Sequence, residues 1–584
     1  MLDFEEAKHR ALEELTKIVS VIPIDKTERK DTGLQKYAAS WRISTEVFLQ
    51  DDLAKPIDLL IAFPEDFPLA LPRFYVSKKD REWVGFIPHV DVAGYICLYD
   101  EESIIIDSDH PDEVVKLCLI KALQTIEQGI KGENGDDFSD EFVAYWNEKY
   151  DDKDELNLGL MMLGKVPDKA PCSIKFLKLG SNFSFYHTIL HDKGELFVRF
   201  KNYVKEQGYS TTEKEGLYIG STKNLYPPFN FTNADTYRIV KEYFPQSLKE
   251  FDRYINRTAE SRLIVFSVVS GTSNLFFGWY IKQLNTIRNG FNRKGSLTPL
   301  DVFTSFQKSD RAIRMQFDAY TKERLEKRTD GIESTARYTI TFAGLGSIGS
   351  NLLPYLMPLG IDTLHLIDPE RLTLANINRH LLGPDDIGNS KVKGVRSYLL
   401  RSNPLTDITS YQESVVQFIR TKHELLNQSH YLFIVIGKNS IENYILQALH
   451  ENQITIPAFF IWIEPYLIGG HCLYIQPGHS LRYNDLYKDH LFKYNVLDPS
   501  EYKNPDKRVL LREAGCQGAY VPYGQKNITL FLASLIQYAF QIVEGNESRN
   551  LALTWRGKMP SNVSLKLSEY GNGLEEGSIQ LNEL

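Results

Sequence analysis

The chain has 584 residues, 42% of them hydrophobic and 24% charged, and a formal net charge of −9. That length exceeds one hydrophobic core and implies roughly two to four domains, while the acidic balance, with no long Lys/Arg cluster to offset it, excludes a surface built for nucleic acid. Five cysteines, at positions 97, 118, 172, 472 and 516, form no CxxC pair, which argues against a structural zinc site and, in a reducing compartment, against disulfides.

The first fifteen residues read as an amphipathic helix without the apolar core of a signal peptide, so a cytoplasmic protein is expected. Strand-like runs follow at Ile57–Phe63 and Pro72–Val76, then a proline-rich turn and a helix at Val114–Gln128. The acidic run Glu148–Glu155 reads as a solvated linker, closing a first domain at residues 1–150. Residues 151–305 are rich in aromatic side chains and include strand-like runs at 195–200 (ELFVRF) and 261–270 (SRLIVFSVVS), which predicts a mixed middle domain; it carries no catalytic motif. Gln307–Arg328 is expected to be a charged helix leading into a third domain, 306–584, with a weakly ordered tail from Met559. The apolar helical run Ile528–Val543 is too short for a bilayer span and carries Gln537 and Gln541.

Thr341–Arg379 carries the clearest chemistry. A strand ends in a glycine turn (Gly344, Gly346, Gly349), a helix follows, and a second strand ends at Asp368. This is a dinucleotide-type βαβ unit. The glycines admit phosphate close to the backbone, the helix start supplies N–H groups, and the acid can accept hydrogen bonds from ribose hydroxyls. Asn376, Asn378, Arg379 and Lys391 come next. Singly, Arg379 reads as a surface ion pair and Lys391 as a solvated residue. Together they give the site its own cations, which suits a triphosphate better than NAD and predicts an ATP site for adenylation.

The run from Gly344 to Lys391, GLGSIGS…LIDPERLTLANINRHLLGPDDIGNSK, resembles the adenylation domain of the ubiquitin-activating and ThiF/MoeB family, whose pattern is a Gly-rich turn, an Asp after the second strand, Asn-x-Asn-Arg and Gly-x-x-Lys. The resemblance implies a Rossmann-like domain in which Asp368 holds ribose while Asn376, Arg379 and Lys391 meet the triphosphate and Mg2+. It implies attack of a protein's C-terminal carboxylate on the α-phosphate. The family's magnesium-binding Asp has no counterpart after the next core strand, where Gly437, Lys438 and Asn439 stand.

Two thiols have distinctive surroundings. Cys516, in REAGCQGAYVPYG, is glycine-flanked and polar, and reads either as an idle loop thiol or as the nucleophile that takes the acyl group from the adenylate. Cys97, in GYICLY, reads alone as a buried strand cysteine. With Phe63–Val76 and Pro88-His89-Val90-Asp91 it resembles the ubiquitin-conjugating fold, α+β in class, with the family's His-Pro-Asn turn lacking its Asn. His89, Asp91 or a backbone N–H is then expected to steady the oxyanion. Cys118, Cys172 and Cys472 read as structural, and Glu464 with His471 as a satisfied pair.

The α/β multidomain chain as a whole resembles the fused activating–conjugating enzymes of bacterial CBASS antiviral operons. That resemblance implies a homodimer using ATP and Mg2+, with the C-terminus of a cGAS-like nucleotidyltransferase as acyl donor and a target protein amine as acceptor. Two alternatives stand beside it: a sulfur-carrier activator of the ThiF/MoeB type, which leaves the N-terminal domain unexplained, and a nucleotide-binding interaction protein without turnover.

Overall fold

A computed structural model describes residues 2–49, 53–150, 152–180, 186–223, 225–227, 229, 231–257, 260–270, 273–284, 297–331, 336–488, 491–503, 509, 511–512 and 519–584. The chain divides into two compact units, residues 1–194 with 209–320, and residues 195–208 with 321–584.

The first unit opens with the helix Phe4–Thr16, whose Asp3 cap accepts a hydrogen bond from Glu6 N at 2.8 Å. An antiparallel sheet follows in chain order: β1 (Ser20–Pro23), β2 (Ala39–Phe48), β3 (Ala54–Phe63), β4 (Arg73–Val76) and β5 (Tyr95–Ile96). The helix Pro111–Lys131 starts on a proline and stops at Gly132, whose φ of 73° gives the left-handed cap. It buries Val115, Cys118, Leu119, Ala122 and Ile126 against the same core as β3 and the first helix. Cys118 is therefore structural, its thiol pushed up by burial to about 12.

Seven strands then close into a barrel: β6 (Leu156–Met162), β7 (Cys172–Leu179), β8 (Tyr186–His191), β9 (Thr211–Thr222), β10 (Arg262–Ser270), β11 (Ser273–Ile281) and β12 (Ile313–Ala319), in the spatial order β10-β11-β12-β6-β8-β7-β9. β9 pairs back onto β10 and closes the ring. Phe142, Trp146, Phe229, Phe266, Phe277 and Trp279 fill an aromatic core beside it.

The second unit is built on an eight-stranded sheet. Five parallel strands lie side by side in the order β15 (Asp407–Tyr411), β14 (Ile361–Ile367), β13 (Tyr338–Ala343), β16 (Tyr431–Ile434) and β17 (Ala458–Ile463). β18 (Gly469–Ile475) and the strands Leu551–Arg556 and Ile579–Glu583 continue it antiparallel. Near-continuous apolar runs such as AFFIWI fit strands covered on both faces. This is the Rossmann-like architecture expected of the C-terminal domain.

Four local expectations are corrected. ELFVRF is helical, the start of Glu195–Glu206, because Phe197, Phe200 and Val204 recur on one face. Gln307–Arg328 is not one helix: Ile313, Met315 and Phe317 alternate inward as strand β12, and a separate helix Lys322–Asp330 starts at the Thr321 cap. The barrel therefore extends past residue 305, and Glu195–Glu206 packs with the C-terminal unit. The tail beyond Met559 is ordered, because Ile579–Glu583 pairs along Leu551–Trp555.

The acidic run is more than a solvated linker. Asp154, with 3% of its side chain exposed, bonds Arg314, with 1% exposed, at 2.6 Å. Arg314 also donates to the carbonyls of Trp146 and Glu148. Asp154→Ala would leave a guanidinium buried without its counter-ion, so a loss of about 3–5 kcal/mol is expected. Chemical denaturation followed by tryptophan fluorescence would measure it, and an unchanged midpoint would show that the pair contributes nothing.

Candidate functional site

In the C-terminal unit the site forms where β13 ends. Gly344 has φ of +96°, and a Cβ there would lie 2.3 Å from the carbonyl oxygen of Val435. A Cβ on Gly349 would lie 2.0 Å from the carbonyl oxygen of Gly344. These two glycines let the helix Ser347–Leu356 start hard against the turn. Gly346 differs: a Cβ there would meet nothing within 4 Å, so this side of the turn is open to a ligand. The helix N-terminus supplies unpaired N–H groups for an anion.

Asp368, 5% exposed, follows β14. Its Oδ2 accepts Leu345 N at 2.6 Å and its Oδ1 accepts Glu370 N at 2.8 Å, tying it to the glycine turn. Burial raises its pKa, and those two N–H donors oppose the rise. Lys391, 3% exposed at the start of the helix Lys391–Ser402, donates to Glu370 Oε2 at 2.6 Å. That bond lowers the pKa of Glu370.

The 3-10 turn Leu374–Arg379 carries the Asn-x-Asn-Arg cluster. It is fixed to the glycine turn at both chain levels: Asn351 Nδ2 donates to Arg379 O at 2.9 Å, and the His380 ring bonds Leu345 O at 2.8 Å. The Arg379 guanidinium lies 4.8 Å from the centre of the Tyr523 ring. Tyr523 in turn shares a short hydroxyl–hydroxyl bond with Ser347 in the first helical turn. Asn376 bonds Thr373 at 3.1 Å, and Asn378 is exposed. The structure thus brings Gly344, Gly346, Gly349, Asp368 and Arg379 around one turn. Lys391, held by Glu370, is close enough for its charge to act on Asp368.

The residues present do not make a metal cage. Among the described residues no group of three or more His, Cys, Asp or Glu side chains could hold an ion. After β16, Lys438 stands exposed. The nearby acid Glu442 is buried, accepts Gly437 N at 3.0 Å, and is raised by burial to about 7. It supports the turn rather than offering a free carboxylate.

In the N-terminal unit Cys97 is exposed and opens on a cavity of about 590 Å³. Its N–H donates to His89 O at 2.8 Å, which fixes the thiol beside the Pro88–Asp91 turn. His89 takes φ of +63°, unusual for a residue with a side chain. Its ring is clamped between Glu141 Oε1 at 2.9 Å and Asp137 Oδ2 at 3.0 Å, and its N–H donates to the Tyr145 hydroxyl at 2.7 Å. The Glu141 bond, with Asp137 added, raises the His89 pKa against the effect of burial. Burial and then the Glu141 charge raise that of the Cys97 thiol. Asp91 is placed differently from the sequence expectation. Its Oδ1 accepts Tyr95 N at 2.7 Å within the turn, and it does not line the Cys97 cavity.

Cys516 lies outside the described residues. Cys472 is buried in β18. Cys172, half-buried in β7, lines neither cavity described here. Glu464 and His471 form the satisfied pair at 2.8 Å. Sequence reasoning missed Glu370, Asp137, Glu141 and Tyr523. No local pattern marks them; Asp137, for one, lies 48 residues from the histidine it holds.

Residues 15–154 match the model of prokaryotic E2 family B, and residues 320–515 that of the ThiF family. An ATP-dependent ubiquitin transferase-like protein, Cap2, of Pseudomonas aeruginosa is 23% identical over 491 residues, covering 80% of this chain and 81% of that protein. Ubiquitin-like modifier-activating enzyme 5 of Caenorhabditis elegans is 26% identical over 157 residues, 24% of this chain and 36% of that enzyme. Among solved structures, selenomethionyl PaaA overlaps 40% of this chain and 64% of its own at 15% identity, with a TM-score of 0.28.

Two outcomes test the sites. Gly349→Ala puts a methyl group against a backbone carbonyl, so ATP affinity measured by calorimetry should fall by at least about tenfold, aligned donors being sensitive to shifts on the order of 1 Å. Wild-type affinity would mean that the turn does not hold nucleotide. Because the folded pKa of His89 is raised, its ion pairs add stability that is complete below the ordinary value of about 6.5 and lost as pH rises through the raised one. Stability–pH curves of wild type and His89→Gln should converge above that point; parallel curves would refute the assignment.

Proposed function

We propose that this chain, whose E2-type and ThiF-type modules are those of a ubiquitin-like activating and conjugating enzyme, activates the C-terminus of a protein with ATP and passes it through two cysteines to an amine. One observation carries the reading: an exposed thiol in an E2-type setting shares a chain with a glycine turn shaped for phosphate. Support also comes from the Pseudomonas match, long enough to take in residues of both modules.

In the first step a carboxylate oxygen of the donor attacks the α-phosphorus of ATP. The bond to the β-phosphate bridging oxygen breaks, giving an acyl-adenylate and pyrophosphate. The N–H groups after Gly346 hold phosphate oxygens and Asp368 accepts from ribose. Arg379 and Lys391 offset the charge that develops, with Asn376 and Asn378 as polar contacts. Glu370 holds the Lys391 side chain in place until the triphosphate arrives. No step is assigned to a protein-held metal, since the described residues group no set of carboxylates for one.

The Cys516 thiolate then attacks the acyl carbon and AMP leaves. Cys97 takes the acyl group by thioester exchange, releasing Cys516, and the target amine displaces Cys97 to leave an amide. The imidazolium of His89, braced by Glu141 and Asp137, steadies the oxyanion in place of the missing Asn. The fused-enzyme resemblance further supports a cGAS-like nucleotidyltransferase C-terminus as donor, a role in antiviral defence, a cytoplasmic setting and a homodimer.

Intact masses of wild type, Cys516→Ala and Cys97→Ala, taken with ATP, magnesium and the candidate donor, test the relay. A reductant-sensitive adduct is expected on wild type; Cys97→Ala should retain it on Cys516, and Cys516→Ala should carry none. An adduct on Cys97 without Cys516 would reverse the order. ATP binding without pyrophosphate exchange or adduct on any variant would favour an interaction protein.

A further inference from the structure

From the open side of Gly346 a cavity of about 550 Å³ runs past the carboxyl ends of β16 and β17. Its size is within the range of roughly 300–1,000 Å³ usual for enclosed ligands. The two ends differ in chemistry. At the glycine turn stand Ser347 and Tyr523, with the Arg379 cation stacked on that tyrosine. Farther on, the wall is aromatic: Trp462 packs edge-on to Phe492 at 5.0 Å, and Tyr487 lies 5.6 Å from Phe492.

Among the described lining residues Glu464 alone bears a charge, and none of it is available. Its Oε1 accepts from His471 at 2.8 Å and from Val496 N at 2.6 Å, and its Oε2 from Leu497 N at 2.8 Å and the Tyr502 hydroxyl at 3.2 Å. Along the aromatic wall a basic or acidic side chain would lose water and find no free counter-ion among the described lining residues. An aromatic or aliphatic one would exchange water for ring contacts.

We infer that the cavity receives an uncharged, apolar C-terminal segment, and that Trp462, Tyr487 and Phe492 read an apolar side chain close to the reacting carboxylate. This rests on the proposed adenylation, because it places the carboxylate at the glycine turn and the tail along the aromatic wall. The continuity of the cavity with the phosphate-binding turn sets that direction. The commitment of Glu464 sets the specificity, since among the described lining residues it removes the one charge that could select a basic tail.

The test uses the full chain and synthetic peptides with free C-terminal carboxylates, identical except for Phe or Leu, against Arg or Glu, just before a terminal glycine. Binding is read by calorimetry and activation by ATP–pyrophosphate exchange. A preference of about 10- to 100-fold for the apolar peptides is expected in both. Trp462→Ala, or Tyr487→Ala if the first variant does not fold, should reduce it to a few-fold. Exchange without preference would overturn the inference and leave the adenylation reading intact. Selective binding without exchange would do the reverse. Absence of binding by any peptide would overturn the inference.

Discussion

The contact between the carbonyl of Gly344 and the α-carbon of Gly349 leaves no room for a side chain. On that approach depend the start of the helix Ser347–Leu356, the reach of Asp368 to Leu345 N and the bond from His380 to Leu345 O. Three strand ends and one helix end meet within a few backbone atoms. The N–H groups freed there are preorganised, so binding an anion requires little rearrangement. The cations approach this frame from separate elements: Arg379 from the 3-10 turn and Lys391 from the following helix.

The N-terminal module solves a related problem with side chains. Burial, and then the charge of Glu141, makes the Cys97 thiol hard to ionise, and the cavity around it holds Asp100, Glu101, Glu102, Asp137 and Glu141. A resting thiol of this kind resists adventitious oxidation and alkylation, since the thiolate is the reactive form. His89 sets one positive charge among these acids. Its left-handed backbone is held by the Tyr145 hydroxyl and by the hydrogen bond from Cys97 N, so position and charge are fixed together.

Much of the geometry of the candidate sites was legible in the sequence where it rests on short runs. The glycine turn, Asp368, the Asn-x-Asn-Arg cluster and the setting of Cys97 each occupy a few consecutive residues and read directly. What was illegible depends on distant partners. Glu370 acquires meaning only when Lys391 folds back to it, and Glu141 only when a later helix reaches His89. Asp91 was misplaced because sequence proximity to Cys97 does not reveal that its carboxylate closes its own turn. ELFVRF misled because six residues with adjacent apolar side chains fit either period, and the helical one emerges only on reaching Val204. The acidic run near Asp154 looked solvated because its buried cation arrives from the last barrel strand.

The helix Glu195–Glu206 lies in sequence between two barrel strands yet belongs to the C-terminal unit. There Arg199 bonds the Asp362 carboxylate and the carbonyl of Leu405, and Glu206 pairs with Arg396. Against burial, the bonds from Arg199 and Lys322 hold Asp362 down at about 2. The chain thus crosses between the units three times, at residues 194/195, 208/209 and 320/321. No single peptide cleavage yields both units whole. A gene split after residue 320 would encode an adenylating half missing one of its own helices, with Asp362 stripped of its arginine. Neither unit is one continuous stretch of chain, so each is complete only when the whole chain is present.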